Sequence, residues 1–420
     1  MKKWLLRIGL GFLSLIALLL LVVVVRSLAP VTAQYQELQW PRASIPEGAN
    51  AFDVLQTATS QIWWPDKQSE QIYDLLSSTN WDEAFASTIL ANNRATLAGW
   101  DAAAKLPDFQ VPEPTFDGLL YLSDWKKLAQ VAEVRENFLF HSGQDKDAFD
   151  KIIDHVQLGR RMQNAHGPLI DYLVGTAICN MGLNQMQRWT GKTHLTPNQL
   201  KDYIRQLGLD SPAAEATAFA NTMKAEYEWQ IGMLDAMRQG KLKGEGYPRY
   251  WPVWPLFSFK QTKALFANGA LVLVKAAPYH YSDNTAKMTE WQMRPGITSI
   301  CLSGNPAGQI IYYMMRPALT AALAKKSQSD VQLQATRTIL ALRAYQLTHG
   351  KLPPDLNALV PEFLDEVPVD DFDGQPLRYS AEKKIVYSVG KNLKDDGGDD
   401  QTSSSDSSQR HLDLVYKFDF

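Results

Sequence analysis

The sequence predicts a mainly α protein: an N-terminal transmembrane helix, a large periplasmic helical array, and a small C-terminal α/β appendix of one helix with antiparallel strands. Three observations predict it. A charge-free apolar run opens the chain, helical spacing of apolar residues dominates from Ala51 to Thr348, and strand-like alternation is confined to the end of the chain. The division that follows is residues 1–30 as a signal anchor, 31–50 as a tether, 51–325 as a helical domain and 326–420 as the α/β segment.

Ile8 to Val25 carries no charge, and Trp4 to Val25 reaches spanning length when Arg7 snorkels to the interface. Lys2, Lys3 and Arg7 precede the run, and only Arg26 closely follows it. That asymmetry puts the N-terminus in the cytoplasm and the remaining chain outside: a single pass through the inner membrane with the bulk periplasmic. A cleaved signal peptide is the rival reading, because Val31-Thr32-Ala33 offers small residues at a cleavage position. The apolar region of a signal peptide is typically ~7–15 residues, shorter than this run. Pro30, Pro41 and Pro46 mark the following stretch as a tether.

Hydrophobic content of 45% with 21% charged residues describes a globular chain. The 42 basic and 45 acidic residues leave a net charge of −3, so no basic field exists to draw in nucleic acid, and that class of partner is excluded. Cys179 and Cys301 are the only cysteines. An oxidising compartment permits a disulfide between them; the alternative reads both as small buried apolar residues. Two cysteines without a Cys-x-x-Cys make no zinc site by themselves.

Along the exported part, Trp81, Phe85 and Ile89, then Leu97 and Trp100, recur at helical spacing. Pro107, Pro112 and Pro114 interrupt, and Leu119 to Phe140 resumes. Lys151 to Trp189 is the longest helical signal, with a break allowed at Gly167-Pro168. Thr196-Pro197-Asn-Gln199 is a capped helix start, and Ser211-Pro212 opens a further helix through Ala236. Together these read as antiparallel helices around one core. Gly244 to Phe259 crowds Tyr247, Tyr250, Trp251, Trp254, Phe257 and Phe259 among three prolines, which prevents regular helix. It reads either as a segment pinned to the core by its rings or as a surface for a glycan, a peptide or lipid.

Gly304-Asn-Pro306-Ala-Gly308 precedes a helix from Gln309 to about Lys325, and a second helix runs from Gln332 to Thr348. Gly350, Pro353 and Pro354 stop it. Leu377 to Ser380 and Lys384 to Val389 form a hairpin, and Leu412 to Phe418 adds a last strand with Leu412, Leu414, Tyr416 and Phe418 on one face. Tyr345, Leu359, Phe363, Tyr379 and Tyr387 are expected to be mutually buried in this appendix.

The order Ala341-Leu-Arg-Ala-Tyr345, His349-Gly-Lys-Leu-Pro353, Leu359-Val-Pro361, Val367-Pro368, Asp371-Phe-Asp-Gly374 and Tyr387-Ser-Val-Gly390 resembles the C-terminal half of the major pseudopilins of type II secretion. With the Gly304–Gly308 entry, it resembles more closely a family of uncharacterised membrane-anchored exported bacterial proteins. The resemblance implies an envelope address and a pseudopilin-like C-terminal segment; it implies no reaction. Gly11-Phe12 looks like a prepilin cleavage site, but Ile16 stands where pseudopilins carry Glu, so the chain departs from a fibre subunit.

Asp395, Asp396, Asp399 and Asp400 form the densest carboxylate cluster, on a Gly-containing loop between two strands. Calcium takes 6 to 8 oxygens in flexible geometry, which such a loop suits. The resemblance adds that major pseudopilins bind calcium after the strand matching Tyr387-Ser-Val-Gly390, although their acidic spacing is not reproduced. The other reading is a solvated loop whose charges protect an edge strand. Asp370, Asp371 and Asp373 form a second acidic turn.

Enzyme motifs are incomplete. Gly191-Lys192-Thr193 lacks the first Gly of a phosphate loop, with Met186 in its place. Ser123-Asp-Trp-Lys126 and Ser282-Asp-Asn284 have no Lys-Thr-Gly partner. His155 and His166 share a helix face in the sequence pattern but have no third ligand. The sequence therefore points to a non-enzymatic envelope protein with a binding or structural role and an envelope protein as partner. The alternatives are an envelope hydrolase with its site in the helical domain and a calcium-dependent adaptor of a secretion or surface assembly.

Overall fold

The computed structural model describes residues 2–31, 35–65, 67–113, 121–208, 212–239, 241, 256–292, 295–399 and 413–420. Among them are fourteen α-helices and one small sheet: α1 Lys2–Ser27, α2 Ala51–Thr59, α3 Ser69–Ser77, α4 Glu83–Asn92, α5 Arg94–Ala104, α6 Tyr121–His141, α7 Asp145–Gln163, α8 Leu169–Thr190, α9 Pro197–Gly208, α10 Pro212–Arg238, α11 Phe259–Ala276, α12 Tyr281–Gln292, α13 Ile297–Cys301, α14 Pro306–His349, β1 Arg378–Ser380, β2 Ile385–Ser388 and β3 Leu414–Lys417. The mainly α class with a C-terminal antiparallel sheet, read from the sequence, is the observed one.

The chain forms two compact units. One comprises Met1–Pro41, Met223–Ala276 and Thr285–Ala321; the other comprises Arg42–Thr222, Ala277–Asn284 and Ala322–Phe420. In the first, α1 is the one described helix long and apolar enough to cross a membrane. Its 18-residue window Leu10–Ser27 has mean hydropathy 2.6, and only 6% of that window is buried. The rest of this unit packs through Leu38, Ala267 and Leu271, and through Leu234, Phe257, Phe266 and Tyr312. Phe257 is thus a core ring, edge-on to Phe259 at 4.7 Å. The rest of the aromatic stretch, from Gly244 to Pro255, lies outside the described residues.

The larger unit holds two apolar clusters where the sequence suggested one core. Leu55, Ile89, Trp100, Trp125 and Leu128 anchor the first. Phe149, Ile152, Met186, Leu340, Phe372 and Val386 anchor the second, under the sheet. Helices α7 and α8 carry both, and they touch backbone to backbone. A Cβ at Gly159 would lie 2.5 Å from the Cys179 nitrogen, one at Gly175 would lie 2.6 Å from the Gln163 nitrogen, and one at Gly182 would lie 2.8 Å from Val156 Cγ2. The break allowed at Gly167-Pro168 is real: α7 ends at Gln163 and α8 starts at Leu169. His166 therefore sits in the connecting turn at φ +56°, off the helix that carries His155. Thr196 and Gln199 make the reciprocal cap read from the sequence: Gln199 N donates to Thr196 Oγ1 at 3.4 Å, and Thr196 N donates to Gln199 Oε1 at 2.9 Å.

The sheet runs β1-β2-β3, antiparallel throughout, with Tyr379 opposite Val386 and Val386 opposite Tyr416. Two expectations for this region are corrected. α14 is one helix from Pro306 to His349, not two, because Lys326, Ser329 and Asp330 are buried helix interior instead of a connector. Leu359 and Phe363 are core residues with Tyr345 and Tyr379 packed against them, but Tyr387 is only half-buried and its hydroxyl reaches Asp395 at 3.3 Å. Cys179 is fully buried on α8, as an apolar core residue would be; Cys301 is exposed on α13.

Candidate functional site

The Asp371-Phe-Asp-Gly374 motif and the centre of α14 meet in the larger unit. Asp370, fully buried, accepts from Ser388 Oγ at 2.8 Å, Val389 N at 3.0 Å, Phe372 N at 3.0 Å and Arg378 Nη1 at 2.8 Å. Those donors tie the turn to β1 and β2. Asp373 completes a two-pronged grip on Arg378, whose hydrogen bonds outweigh partial burial and hold that carboxyl below the usual range. Gly374 is required twice over: its φ is +73°, and a Cβ there would sit 2.8 Å from His280 Cδ2.

Asp371 faces the other way. Its Oδ2 takes Lys326 Nζ at 2.9 Å in a pair whose side chains are 3% and 7% exposed, and its Oδ1 lies 3.3 Å from His280 Nδ1. Lys326, Ser329 and Asp330 lie three and four residues apart, so α14 presents them on one face. Ser329 Oγ accepts from Gln163 Nε2 at 3.4 Å, and the same Nε2 is 3.0 Å from Thr176 Oγ1. Nearby, Glu215 in the first turn of α10 pairs with Arg160 and accepts from the Tyr172 hydroxyl at 2.5 Å. Burial and then Glu215 push the Tyr172 phenol well above its ordinary range, so it stays a donor.

Asp330 lies within the fields of both groups. Lys326 and Arg160 balance Asp371 and Glu215, which leaves Asp330 as the surplus acid. It is 2% exposed, and its Oδ1 has no donor among the described residues. Burial first, then the Asp371 charge, raise its carboxyl to about 7 against the pull of Lys326. The cluster can therefore gain or lose one proton near neutral pH inside the fold. A second buried acid behaves alike. Glu133 on α6 is raised to about 7 by burial and by Glu136, while Gln185 Nε2 donates to it at 2.6 Å. Beside it, Glu136 Oε1 lies 2.9 Å from His155 Nδ1, both fully buried, which makes His155 a packed core group.

No protein-family model, curated protein or solved structure matches the chain.

The acidic loop read from the sequence is arranged around local partners. Asp395 Oδ1 accepts from Gly397 N at 2.9 Å, and Asp396 Oδ2 accepts from Asn392 Nδ2 at 2.7 Å. Asp413 Oδ2 accepts from Gly398 N at 2.7 Å. Asp399 is described through its carbonyl, which accepts from Asp413 N at 3.2 Å, and Asp400 lies outside the described residues. Among the described residues no group of three His, Cys, Asp or Glu is placed to hold a metal ion. A surface cleft of about 330 Å³ is lined by Asp145, Lys146, His194 and Gln199, among others. There Asp145 Oδ2 receives Thr193 Oγ1 at 3.0 Å and His194 N at 2.6 Å, and lies 3.1 Å from His194 Nδ1. These three contacts fix the Thr193–His194 turn on Asp145.

The sequence reading missed Lys326 and Asp330 because a run of polar residues looked like a connector. The available signal was continuity: no Gly or Pro interrupts Ala318 to His349.

Proposed function

We propose that the protein is an exported, single-pass protein of the inner membrane whose periplasmic bulk has a non-enzymatic binding or structural role. The observation that carries this reading is α1: a helix of spanning length whose apolar side chains face outward, where a core helix would bury them. The charge asymmetry around it supports a cytoplasmic N-terminus. The pairing of Lys326 with Asp371 and of Arg160 with Glu215 inside the larger unit supports a structural role for those groups. The helix followed by an antiparallel sheet at the C-terminus accords with a pseudopilin-like segment, and with it an envelope protein partner.

The topology has a direct test. A periplasmic reporter fused after Phe420 should be active, the protein should stay in the membrane after an alkaline wash, and the mature N-terminus should lie at or near Met1. A mature chain that begins at Gln34 removes the anchor.

Calcium at Asp395, Asp396, Asp399 and Asp400 is proposed as a ligand of the folded state, on the strength of the acidic loop between strands. Millimolar calcium should then raise the melting temperature by binding the native state, following RT ln(1 + [L]/Kd). Asp395→Ala with Asp396→Ala should abolish the gain. Identical melting in calcium and in chelator discards the site.

A further inference from the structure

The motif Gly304-Asn-Pro306-Ala-Gly308 has a physical role that the reading above leaves unused: it holds the outer end of α1. Arg26 Nη1 donates to the Leu302 carbonyl at 3.0 Å, and Gln261 Nε2 donates to the Arg26 carbonyl at 2.9 Å. Gly304 packs so closely on the Arg26–Ser27 backbone that a Cβ has no room. Asn305 fixes the motif from behind. Its Oδ1 accepts from Ser258 N at 2.9 Å, its Nδ2 donates to Thr262 Oγ1 at 2.8 Å, and Gly308 leaves space for its side chain.

The surface beside this junction is open and uncharged, with Ile297, Ile310 and Met314 as its exposed large apolar side chains. α13 buries none of its residues, and Ile297 is 78% exposed. On α14, Ile310 and Met314 are exposed four residues apart, with Met314 at 74%. From Pro295 to Ala324 the only charged residue is Arg316. That side chain is buried against the rings of Trp291 and Tyr313, each 4.8 Å from its guanidinium carbon. The exposed face of this stretch therefore carries no charge at all.

We propose that this face, α13 with the Leu302–Gly304 turn and the Ile310/Met314 stripe, is immersed in the headgroup–acyl boundary of the bilayer that α1 crosses. The inference rests on the membrane-anchor reading and adds a second contact to it. Eighteen residues at ~1.5 Å each span about 27 Å, close to the ~30 Å hydrocarbon core, so Ser27 ends at the outer boundary. Whatever is bonded to Arg26 and Ser27 is at that boundary too. An apolar surface bordered by a cation, here Arg26 on Leu302, is the kind that enters it.

The test uses the full chain in phosphatidylethanolamine–phosphatidylglycerol vesicles. Cys301 is exposed and Cys179 is fully buried, so under native conditions an environment-sensitive fluorophore reports from Cys301. Nitroxides placed shallow on the lipid chains should quench it most, deep nitroxides less, and aqueous iodide little, as expected for a depth of ~5–10 Å into the boundary. Ile297→Asp, at a position too exposed to affect folding, should reverse that order towards iodide. The comparison is Leu18→Cys in a Cys301→Ser background, which deep nitroxides should quench. If Leu18 is not quenched, the anchor itself has failed. If Leu18 is quenched but Cys301 answers to iodide, only the surface contact is overturned. A Cys301 label shielded from both quenchers marks a protein partner or a second copy, and also overturns it.

Discussion

Lys326→Met should destabilise the larger unit by ~3–5 kcal/mol, the range for removing one partner of a buried ion pair. The substitution keeps most of the apolar stem and deletes the ammonium 2.9 Å from Asp371 Oδ2. Asp371 would then hold its charge beside Asp330, whose ionisation burial first and the Asp371 charge second already oppose. His280, at the rim, is left as the remaining side chain beside it, with Nδ1 3.3 Å from Oδ1. Denaturant unfolding of the full chain in detergent measures the loss. Adding Asp371→Asn should recover much of it, because a neutral pair no longer leaves a charge stranded. A single-variant cost below ~1 kcal/mol, the size of an exposed pair, would show that water reaches Lys326.

Stability should fall as pH rises from 5 to 8, and Asp330→Asn should remove much of that fall. The sign follows from linkage. An unfolded Asp releases its proton near 3.9, whereas in the fold Asp330 holds it to about 7. The folded state binds the proton better, so its contribution is fully present below pH 4 and is lost as pH climbs through 7. Between pH 5 and 7 this is on the order of 2–3 kcal/mol. Glu133, also raised to about 7, adds a slope of the same sign that Asp330→Asn leaves in place. The asparagine variant should therefore match wild type near pH 4 and exceed it by a growing margin up to pH 8. Parallel pH profiles for the two proteins would show that Asp330 does not titrate in this window.

Much of the fold was legible because its signals are local. The apolar run of α1, the Thr196–Gln199 cap and the alternation around Val386 each depend on residues within a few positions. What failed depends on distant partners. Lys326 and Asp330 fall between two predicted helices until Asp371 and Arg160 are brought to them by the turn after residue 369 and by α7. Tyr387 and Val386 alternate as neighbours on a strand should, yet which of them faces the core is decided by register with Tyr416. The acidic loop was found by composition, which reports charge density but not that Asn392, Gly397 and Gly398 already supply donors there.

The glycine seam between α7 and α8 bears on how the cluster meets a change of protonation. Side chains at a helix interface ordinarily give slack, since a rotamer hop lets one helix slip past the other. Gly159, Gly175 and Gly182 bring the two backbones together and leave no such joint. Arg160 and Gln163 on α7 therefore keep a fixed spacing from Tyr172 and Thr176 on α8. A proton gained or shed by Asp330 is thus met beside two helices whose backbones already touch at Gly159 and Gly175, which favours an electrostatic response over a shift of one helix past the other.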